Sequence, residues 1–226
     1  MRHVCDAPRG RVARDPTGPC DLAAGAIGYV GRMATERQIT PQAIEARRAA
    51  LRQIRQWGDP ALRAVARPVE RVDADLVTEA RRLISIMDAA WGWGLAATQV
   101  GVLRRYFVYR EGERGDGAAT AIVDPEIAWA SDERDSDLEG CLSLSGVVVT
   151  VERPVAVRMT GLDLSGRPVT IEAEGPLARR LQHEADHLDG VLMIDRTTKD
   201  ERKAALRALR DGVAMERPDP DAAATD

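Results

Sequence analysis

The chain has 226 residues, enough to bury a substantial core, and its 44% hydrophobic and 30% charged residues predict a soluble globular protein. The net charge is −4, from 32 basic against 36 acidic residues, so the chain lacks the basic excess that nucleic-acid binding favours. It contains three histidines and three cysteines, which excludes a histidine-rich metal site.

The cysteines point to a reducing compartment, because their number is odd and no two are close in sequence. No stretch approaches the about 20 apolar residues that span a membrane. Residues 22–30 are mostly apolar and follow several arginines, but Asp6, Asp15 and Asp21 are unusual in the charged region of a secretion signal. We therefore expect a cytoplasmic protein.

The two ends of the chain differ from its middle in composition. Residues 1–39 are rich in Pro, Gly and Arg without a hydrophobic period, and we predict a flexible N-terminal extension there, with Met33 as an alternative start. Residues 213–226 are polar and predict a disordered C-terminal tail. One folded domain is expected over residues 40–212.

Two helical patterns open this domain. Thr40 and Pro41 are a capping residue and a first-turn proline, and they predict a helix to about Gln56. Apolar residues at helical spacing between positions 76 and 87, after the capping residue Asp73, predict a second helix.

The segment from Gly92 to Gly101 contains glycines, alanines and Gln99. Small residues allow the backbone to approach a ligand closely, and the Gln side chain is an uncharged donor. The same composition is typical of an ordinary loop that packs a helix against a sheet. No Gly-Lys-Ser/Thr sequence follows, which excludes a phosphate loop, and the other two interpretations stay open.

The middle of the chain predicts short β-strands with a turn at 163–166. The candidate strands are β-branched, aromatic or alternating in pattern, and cover 106–109, 120–123, 147–151, 155–159 and 169–171. Helices before and after several short strands predict an α+β fold with mostly antiparallel sheets.

Two further helices end the domain. Gly175 and Pro176 open a third helix that Gly190 ends. Thr198 and Glu201 predict a capping box for a fourth helix, which runs through Arg210 before Gly212.

The third helix contains the sequence His183-Glu184-Ala185-Asp186-His187. Because residues four apart share one helical face, both imidazoles can reach one metal ion, and Glu184 can address a water bound to it. The alternative is a solvated face with incidental histidines, and the amphipathic, well-capped helix disfavours it.

A catalytic metal site usually has three protein ligands, so a third must lie elsewhere in the chain. The position where metzincins have His is Met193, and the positions where gluzincins have Glu are Leu206 and Arg207, so neither class fits. The remaining candidates are His3, Cys5, Cys20 and Cys141.

Among these candidates, only Cys141 lies in the predicted folded domain, just ahead of a strand. Its thiolate with two imidazoles makes a site with an open fourth position. A free cysteine is also commonly a small buried hydrophobe, and the residues alone leave this choice open.

Three motifs in this order closely resemble the bacterial peptide deformylases. That family has Gly-x-Gly-Leu-Ala-Ala-x-Gln, Glu-Gly-Cys-Leu-Ser and Gln-His-Glu-x-x-His, which stand here complete as Gly92–Gln99, Glu139–Ser143 and Gln182–His187. The resemblance extends from about Ile54 to Arg210. One motif would be a weak signal, whereas three intact motifs in order are specific.

The resemblance implies an α+β fold in which the helix with the His-Glu-x-x-His motif lies centrally among mostly antiparallel sheets, flanked by N- and C-terminal helices. It implies an enzyme that removes the formyl group from N-formyl-methionine at the N-terminus of newly synthesised polypeptides and releases formate. The implied cofactor is one divalent metal ion per chain, Fe²⁺ first, with Zn²⁺ or another ion accepted. The implied partners are N-formylated nascent peptides at the ribosome exit, without nucleic-acid readout or membrane contact, and a monomer is expected.

The resemblance also implies the roles of individual residues. The metal ligands are Cys141, His183 and His187, and Glu184 acts as general base and then as general acid. The side-chain amide of Gln99 and the backbone N–H of Leu142 stabilise negative charge on the formyl oxygen. The expected substrate contacts are Trp93, Gly94 and Gly140.

Several positions depart from the family pattern. Trp93 replaces a small aliphatic residue at a position that borders the methionine pocket in the family. Ser145 stands where the family usually has Pro, and residues 147–149 are valines in a loop that often carries an arginine. Asp137, Arg179 and Arg180 stand where apolar pocket residues are common in the family. One interpretation is drift, with the arginine stems lying along apolar surface. The other is a specialised paralogue with a narrower or more polar pocket that acts on another N-formyl substrate.

Two further hypotheses concern the function class. A non-catalytic domain that keeps metal for structure is disfavoured by Glu184 and Gln99, because a structural site closes its fourth position and needs no general base. A general zinc endopeptidase would instead cleave internal peptide bonds.

Overall fold

A computed structural model of the chain describes residues 40–112 and 115–215. The extension predicted over 1–39, with His3, Cys5 and Cys20, lies outside the described residues, and so does most of the predicted C-terminal tail. Within the part that is described, no helix has both the length and the apolar character needed to cross a membrane.

Four α-helices occur in the described residues, and the predicted starts of all four are confirmed. They are α1 (Pro41–Leu51), α2 (Ala74–Ala89), α3 (Gly175–Leu188) and α4 (Lys199–Asp211). The predicted end of α1 near Gln56 is wrong. The backbone N–H groups of Arg55 and Trp57 donate instead to the carbonyls of Gln99, at 2.7 Å, and Ser143, at 2.9 Å. These long-range bonds replace the bonds that a longer helix would have made.

The predicted capping box of α4 forms only in part. The hydroxyl of Thr198 accepts a hydrogen bond from the backbone N–H of Glu201 at 3.2 Å, as predicted. The carboxylate of Glu201 does not return to the cap, because it accepts hydrogen bonds from the backbone N–H of Thr150 at 2.7 Å and from the hydroxyl of Thr197. Glu201 therefore connects α4 to a strand.

In the described part of the chain, seven strands form two antiparallel sheets, which confirms the α+β class. The strands are β1 (Gly94–Ala96), β2 (Tyr106–Arg110), β3 (Ala119–Ala130), β4 (Arg134–Gly140), β5 (Val148–Pro154), β6 (Ala156–Leu162) and β7 (Pro168–Glu174). One sheet has the order β1-β2-β3-β6-β7, and the other is the pair β4-β5. Every strand pair is antiparallel.

Two strands have no signal in the sequence. β1 lies inside the Gly-Ala segment for which a loop was one interpretation, so that interpretation is wrong for Gly94–Ala96. β4 is polar and mostly exposed, and it pairs along its whole length with β5, from Arg134 opposite Pro154 to Gly140 opposite Val148. Neither strand shows an alternation of apolar and polar residues in its sequence. Both are formed by pairing with a neighbouring strand, which leaves no such pattern.

Helix α3 contacts strands of both sheets. One of its faces carries Leu181, Ala185 and Leu188 into a core cluster that also contains Phe107 and Met159. The histidine motif is thereby held on a helix whose opposite side chains are packed in the core, which limits its movement.

Candidate metal centre

Three parts of the chain contact α3: strand β1, the short 3-10 helix Ala97–Val100 that follows it, and Cys141 just after β4. The ligand atoms of Cys141, His183 and His187 all lie within 4.8 Å of one another. The Sγ atom of Cys141 is 3.2 Å from Nε2 of His187, a distance that one ion with bonds of about 2.0–2.3 Å can bridge. The tertiary structure thus brings together the three residues that the motifs indicated.

The donor set suits a divalent metal ion, because a thiolate and two imidazoles bind Zn²⁺ and Fe²⁺ well. His187 is buried, and burial holds the pKa of His187 well below its ordinary value. A neutral imidazole is the form that binds a metal. Across the described residues there is no second cluster of three such side chains.

Glu139 orients the first histidine. Its Oε2 lies 2.9 Å from Nδ1 of His183, which leaves the other ring nitrogen for a ligand. Burial by itself would raise the pKa of Glu139, but hydrogen bonds from Arg153 and His183 hold this pKa well below its ordinary range. A charged acceptor therefore fixes the His183 ring.

A buried ion-pair network supports Glu139. Arg153 donates from Nε and Nη2 to the two carboxylate oxygens at 2.6 and 2.9 Å, and from Nη1 to Asp186 at 2.9 Å. Arg179 donates to Glu139 at 3.0 Å, and Arg196 donates to Asp186 at 2.7 Å. The network connects the two-stranded sheet to α3 directly behind the histidines.

Sequence reasoning missed the role of Arg153, although β5 contains a signal for it. Val149, Val151 and Arg153 alternate along the strand on its buried face. An arginine that continues an inward-facing apolar pattern predicts a buried partner of opposite charge. Glu139 belongs to a quoted motif, but the motif alone does not show which side chains it contacts.

Glu184 lies against the backbone of β1. The side chain is buried, and a Cβ atom added to Gly94 would lie 2.3 Å from its Oε1. Burial raises the pKa of Glu184 to about 7, so this carboxyl group can hold or release a proton near neutral pH. Gly94 was predicted to contact substrate, and the structure places it first of all in contact with Glu184.

Gln99 has a fixed orientation beside the cysteine. Its Oε1 accepts a hydrogen bond from the backbone N–H of Ala96 at 2.8 Å, which makes Nε2 the donor on the other side. That Nε2 donates to the hydroxyl of Ser143 at 3.1 Å and to Sγ of Cys141 at 3.6 Å. Ser143 also donates its backbone N–H to the same sulfur at 3.4 Å.

The other predicted site residues border the cluster. Leu142 follows Cys141 directly, and its carbonyl accepts a hydrogen bond from Nε2 of Gln56 at 3.1 Å. Gly140 is exposed at the end of β4, where an added Cβ would meet Val148 at an ordinary 3.7 Å. Trp93 is 39% exposed, so part of its indole faces solvent.

The two arginines that depart from the family pattern donate hydrogen bonds to specific partners. Besides its bond to Glu139, Arg179 donates to the carbonyls of Val151 and Asp135 at 2.7 and 2.8 Å. Arg180 is buried and donates to two backbone carbonyls at 2.5 and 3.1 Å. Of the other departures, Asp137 is exposed opposite Val151, and the hydroxyl of Ser145 donates to Gln56 at 3.0 Å.

Comparisons of the sequence with known proteins identify one and the same family. A family model described as polypeptide deformylase matches residues 51–203. The chain is 44% identical over 162 residues to a peptide deformylase of Acidothermus cellulolyticus, an alignment that covers 72% of this chain and 87% of the relative. It is 47% identical over 150 residues to a peptide deformylase of Clostridium botulinum, covering 66% of this chain and 99% of the relative.

Solved structures agree with this comparison. The peptide deformylase of Synechococcus elongatus in complex with actinonin matches with a TM-score of 0.65 and 37% identity, over 74% of this chain and 91% of that one. The peptide deformylase of Thermotoga maritima matches with a TM-score of 0.61 and 40% identity, over 64% of this chain and 96% of that one. The match in sequence, in fold and in the three motifs leads to one conclusion: the chain belongs to the polypeptide deformylase family.

Proposed function

We propose that the chain is a metal-dependent peptide deformylase that hydrolyses the formyl group of N-formyl-methionine at the N-terminus of newly synthesised polypeptides and releases formate. One observation carries the proposal beyond family membership. The thiol of Cys141 and the rings of His183 and His187 form one cluster, and Glu184, the residue after His183 on α3, is buried.

In this proposal the three clustered side chains are the ligands of one divalent metal ion. The expected ion is Fe²⁺, and the site also binds Zn²⁺ or another divalent ion. When bound, such an ion supplies Lewis acidity and lowers the pKa of a coordinated water. Glu139 keeps the His183 ring in the orientation that leaves one nitrogen for the ion, through the 2.9 Å contact at Nδ1.

Glu184 moves the proton in the proposed reaction. Its carboxylate accepts a proton from the attacking water and then delivers it to the amide nitrogen that leaves. The backbone of Gly94 covers this carboxyl group on one side, and a glycine is required there because any Cβ would overlap it. The close contact holds the carboxyl group in place for both transfers.

Gln99 and Leu142 stabilise the negative charge that develops on the formyl oxygen. The carboxamide of Gln99 is oriented by Ala96, so its NH₂ group is presented beside Cys141. The backbone N–H of Leu142 is the second donor in the proposal, and removing one donor of this kind typically costs about 10²–10³ in rate. Trp93, Gly94 and Gly140 contact the peptide.

The cellular setting follows from this substrate. Formylated nascent peptides are encountered in the cytoplasm, at the ribosome exit, and we propose a monomer that acts there. The catalytic domain is assigned to residues 40–212, with an N-terminal extension and a C-terminal tail outside it. A version that begins at Met33 should have the activity of the full chain, and a lower kcat/KM would show that the extension takes part in the reaction.

The experiment that tests the proposal combines metal analysis with an assay of formate release from a formyl-Met dipeptide. We expect one equivalent of divalent metal per chain and release of one formate per peptide. Cleavage of internal peptide bonds in an unformylated substrate would instead identify an endopeptidase. Stoichiometric metal without release of formate would identify a structural metal domain and overturn the proposal.

A further inference from the structure

Two backbone hydrogen bonds connect the chain just after α1 to the parts of the molecule that hold the proposed oxyanion donors. The backbone N–H of Arg55 donates to the carbonyl of Gln99 at 2.7 Å. The backbone N–H of Trp57 donates to the carbonyl of Ser143 at 2.9 Å, directly after Leu142 in the chain. One short segment is therefore bonded to both sides of the proposed oxyanion site.

The side chain of Gln56, between these two residues, adds a third connection. Its Nε2 donates to the carbonyl of Leu142 at 3.1 Å and to that of Ile54 at 3.3 Å. Its Oε1 accepts a hydrogen bond from the hydroxyl of Ser145 at 3.0 Å. Because the hydroxyl occupies Oε1, the carboxamide is held with its NH₂ group toward Leu142.

Leu142 lies in a tight turn from Cys141 to Leu144. The backbone N–H of Leu144 donates to the carbonyl of Cys141 at 3.1 Å, which closes the turn. Its central peptide unit consists of the carbonyl of Leu142 and the N–H of Ser143. In β-turns, types I and II differ in the orientation of this central unit. The bonds made by the unit therefore determine the geometry of the turn.

Gln56 and Cys141 hold the two ends of the central peptide unit. The carbonyl of Leu142 accepts from Gln56, and the N–H of Ser143 donates to Sγ of Cys141 at 3.4 Å. The N–H of Leu142, the proposed second donor to the formyl oxygen, belongs to the preceding peptide unit. Both units share the Cα of Leu142, so a rotation of the central unit also changes the direction of that N–H.

The turn is not close-packed on every side. Leu144 is buried, which anchors the end of the turn. A cavity of about 460 Å³ adjoins the rest, and Ser143, Ser145, Gly146 and Leu209 are among the residues that line it. Close packing would prevent a rearrangement, whereas this space permits one. The position of the central peptide unit therefore depends on its hydrogen bonds.

We propose that Gln56 is a positioning residue, which holds the central peptide unit so that the N–H of Leu142 points at the formyl oxygen in the transition state. This role rests on the proposed deformylase function, and Gln56 acts through Leu142 rather than by touching the substrate. Ser145 supports it by orienting the carboxamide. Ser145 stands where the family usually has Pro, so a side-chain hydrogen bond here takes the place of a ring that restricts the backbone.

The first test measures kcat and KM for formyl-Met-Ala-Ser in Gln56→Met, which removes the bond to Leu142 with little change in side-chain length. We expect kcat to fall about three- to tenfold, the effect of one neutral hydrogen bond, with KM within about twofold of the wild type. Gln56→Glu should behave alike, since a carboxylate accepts from Ser145 but cannot donate to Leu142. Gln53→Met is the matched control and should keep the wild-type kcat, because Gln53 is bonded to Arg82 instead.

The outcomes of this test separate positioning from general damage. The side chain of Gln56 is exposed, so its substitution should leave the metal content and the urea midpoint of unfolding unchanged. A wild-type kcat in both Gln56 variants overturns the proposed role. It is also overturned if KM rises as much as kcat falls, or if metal is lost. If the wild-type chain releases no formate from the peptide, the proposed function fails instead.

Ser145→Ala tests whether the serine acts through Gln56. We expect a smaller decrease in kcat than in Gln56→Met, because the donor remains but loses the partner that orients it. The double variant should be no slower than Gln56→Met alone, as expected for residues that act in one chain of contacts. Two effects that simply multiply would remove Ser145 from the assignment.

Hydrogen exchange gives a readout that does not depend on turnover. NMR can follow the backbone amides of Ser143 and Leu144 in the holoenzyme. Both should exchange faster in Gln56→Met than in the wild type and in Gln53→Met, because the turn opens more often without the bond to its central unit. Equal exchange rates in the three proteins would contradict the role of Gln56, even if kcat falls.

Discussion

The guanidinium of Arg153 forms two hydrogen bonds, of 2.6 and 2.9 Å, with the carboxylate of Glu139. Both side chains are about 95% buried, and the same carboxylate contacts the ring of His183. A buried charge that loses its partner is strongly destabilising, whereas an exposed pair contributes little. The pair therefore links the stability of the fold to the orientation of one candidate metal ligand.

Replacing Arg153 by Met should destabilise the protein by about 3–5 kcal/mol, because it leaves Glu139 buried without its main donor. Metal affinity should fall by about 10–100-fold, as for other residues that orient a ligand. Urea unfolding and metal titration measure the two effects. The exposed pair Arg158 and Glu172 offers a control, since Arg158→Met should cost less than about 1 kcal/mol. Equal effects of the two substitutions would contradict the importance of burial.

Replacing Cys141 by Ala should abolish both metal binding and formate release. The reason is that two imidazoles alone hold a divalent ion weakly. Metal content by mass spectrometry and the formate assay check this expectation. Ser143→Ala is a useful comparison. The hydroxyl of Ser143 accepts a hydrogen bond from the Gln99 amide beside Cys141, but Ser143 is not one of the clustered ligand residues, so this variant should retain the metal. Unchanged metal content in Cys141→Ala would show that the ligand assignment is wrong.

Replacing Glu184 by Ala should leave the metal in place and reduce turnover to background. Glu184 is not one of the three clustered ligand residues, whereas the proposed proton transfers need its carboxyl group. Metal analysis and single-turnover formate release distinguish the two properties. Substantial activity in this variant would remove Glu184 from the mechanism.

Replacing Gly94 by Ala should lower kcat by at least about tenfold without loss of metal. The new Cβ would lie 2.3 Å from Oε1 of Glu184, so the carboxyl group must move away from its position. A Gly94→Ala variant with the kcat of the wild type would show that the contact between Gly94 and Glu184 is not required.

The ion pair between Arg63 and Asp195 should make stability depend on pH in the acidic range. Burial by itself would raise the pKa of Asp195, but the hydrogen bond from Arg63 and that from the backbone N–H of Leu192 hold this pKa below its ordinary value. A carboxyl group with a lowered pKa contributes stability above its unfolded-state pKa, and the contribution disappears as pH falls through the folded-state pKa.

The measurement is the free energy of unfolding of the wild type and of Asp195→Asn between pH 7 and pH 3. The wild type should be the more stable protein at pH 7, and the difference should decrease as the pH approaches 3. Arg63→Met should weaken the same pH dependence, because it removes the main hydrogen-bond donor. A difference that stays constant over this range would show that Asp195 does not titrate with a lowered pKa.

The sequence alone determined the features that depend on neighbours along the chain. Asp73 and Thr198 accept the capping hydrogen bonds predicted for α2 and α4, because a cap and its donor lie three residues apart. The spacing of four between His183 and His187 places both rings on one face of any helix that contains them. The small number of histidines and cysteines left Cys141 as the third candidate ligand in the folded domain.

Tertiary structure alone decided which distant side chains meet. His183 and Glu139 are 44 positions apart, and their contact depends on the packing of α3 against β4 and β5. The end of α1, the strand β1 and the contact of Gly94 with Glu184 likewise depend on partners from other elements. The physical reason is the distance in sequence between the residues that interact. Caps and helical faces arise from bonds between near neighbours, whereas burial and long-range pairing have no local pattern that predicts them.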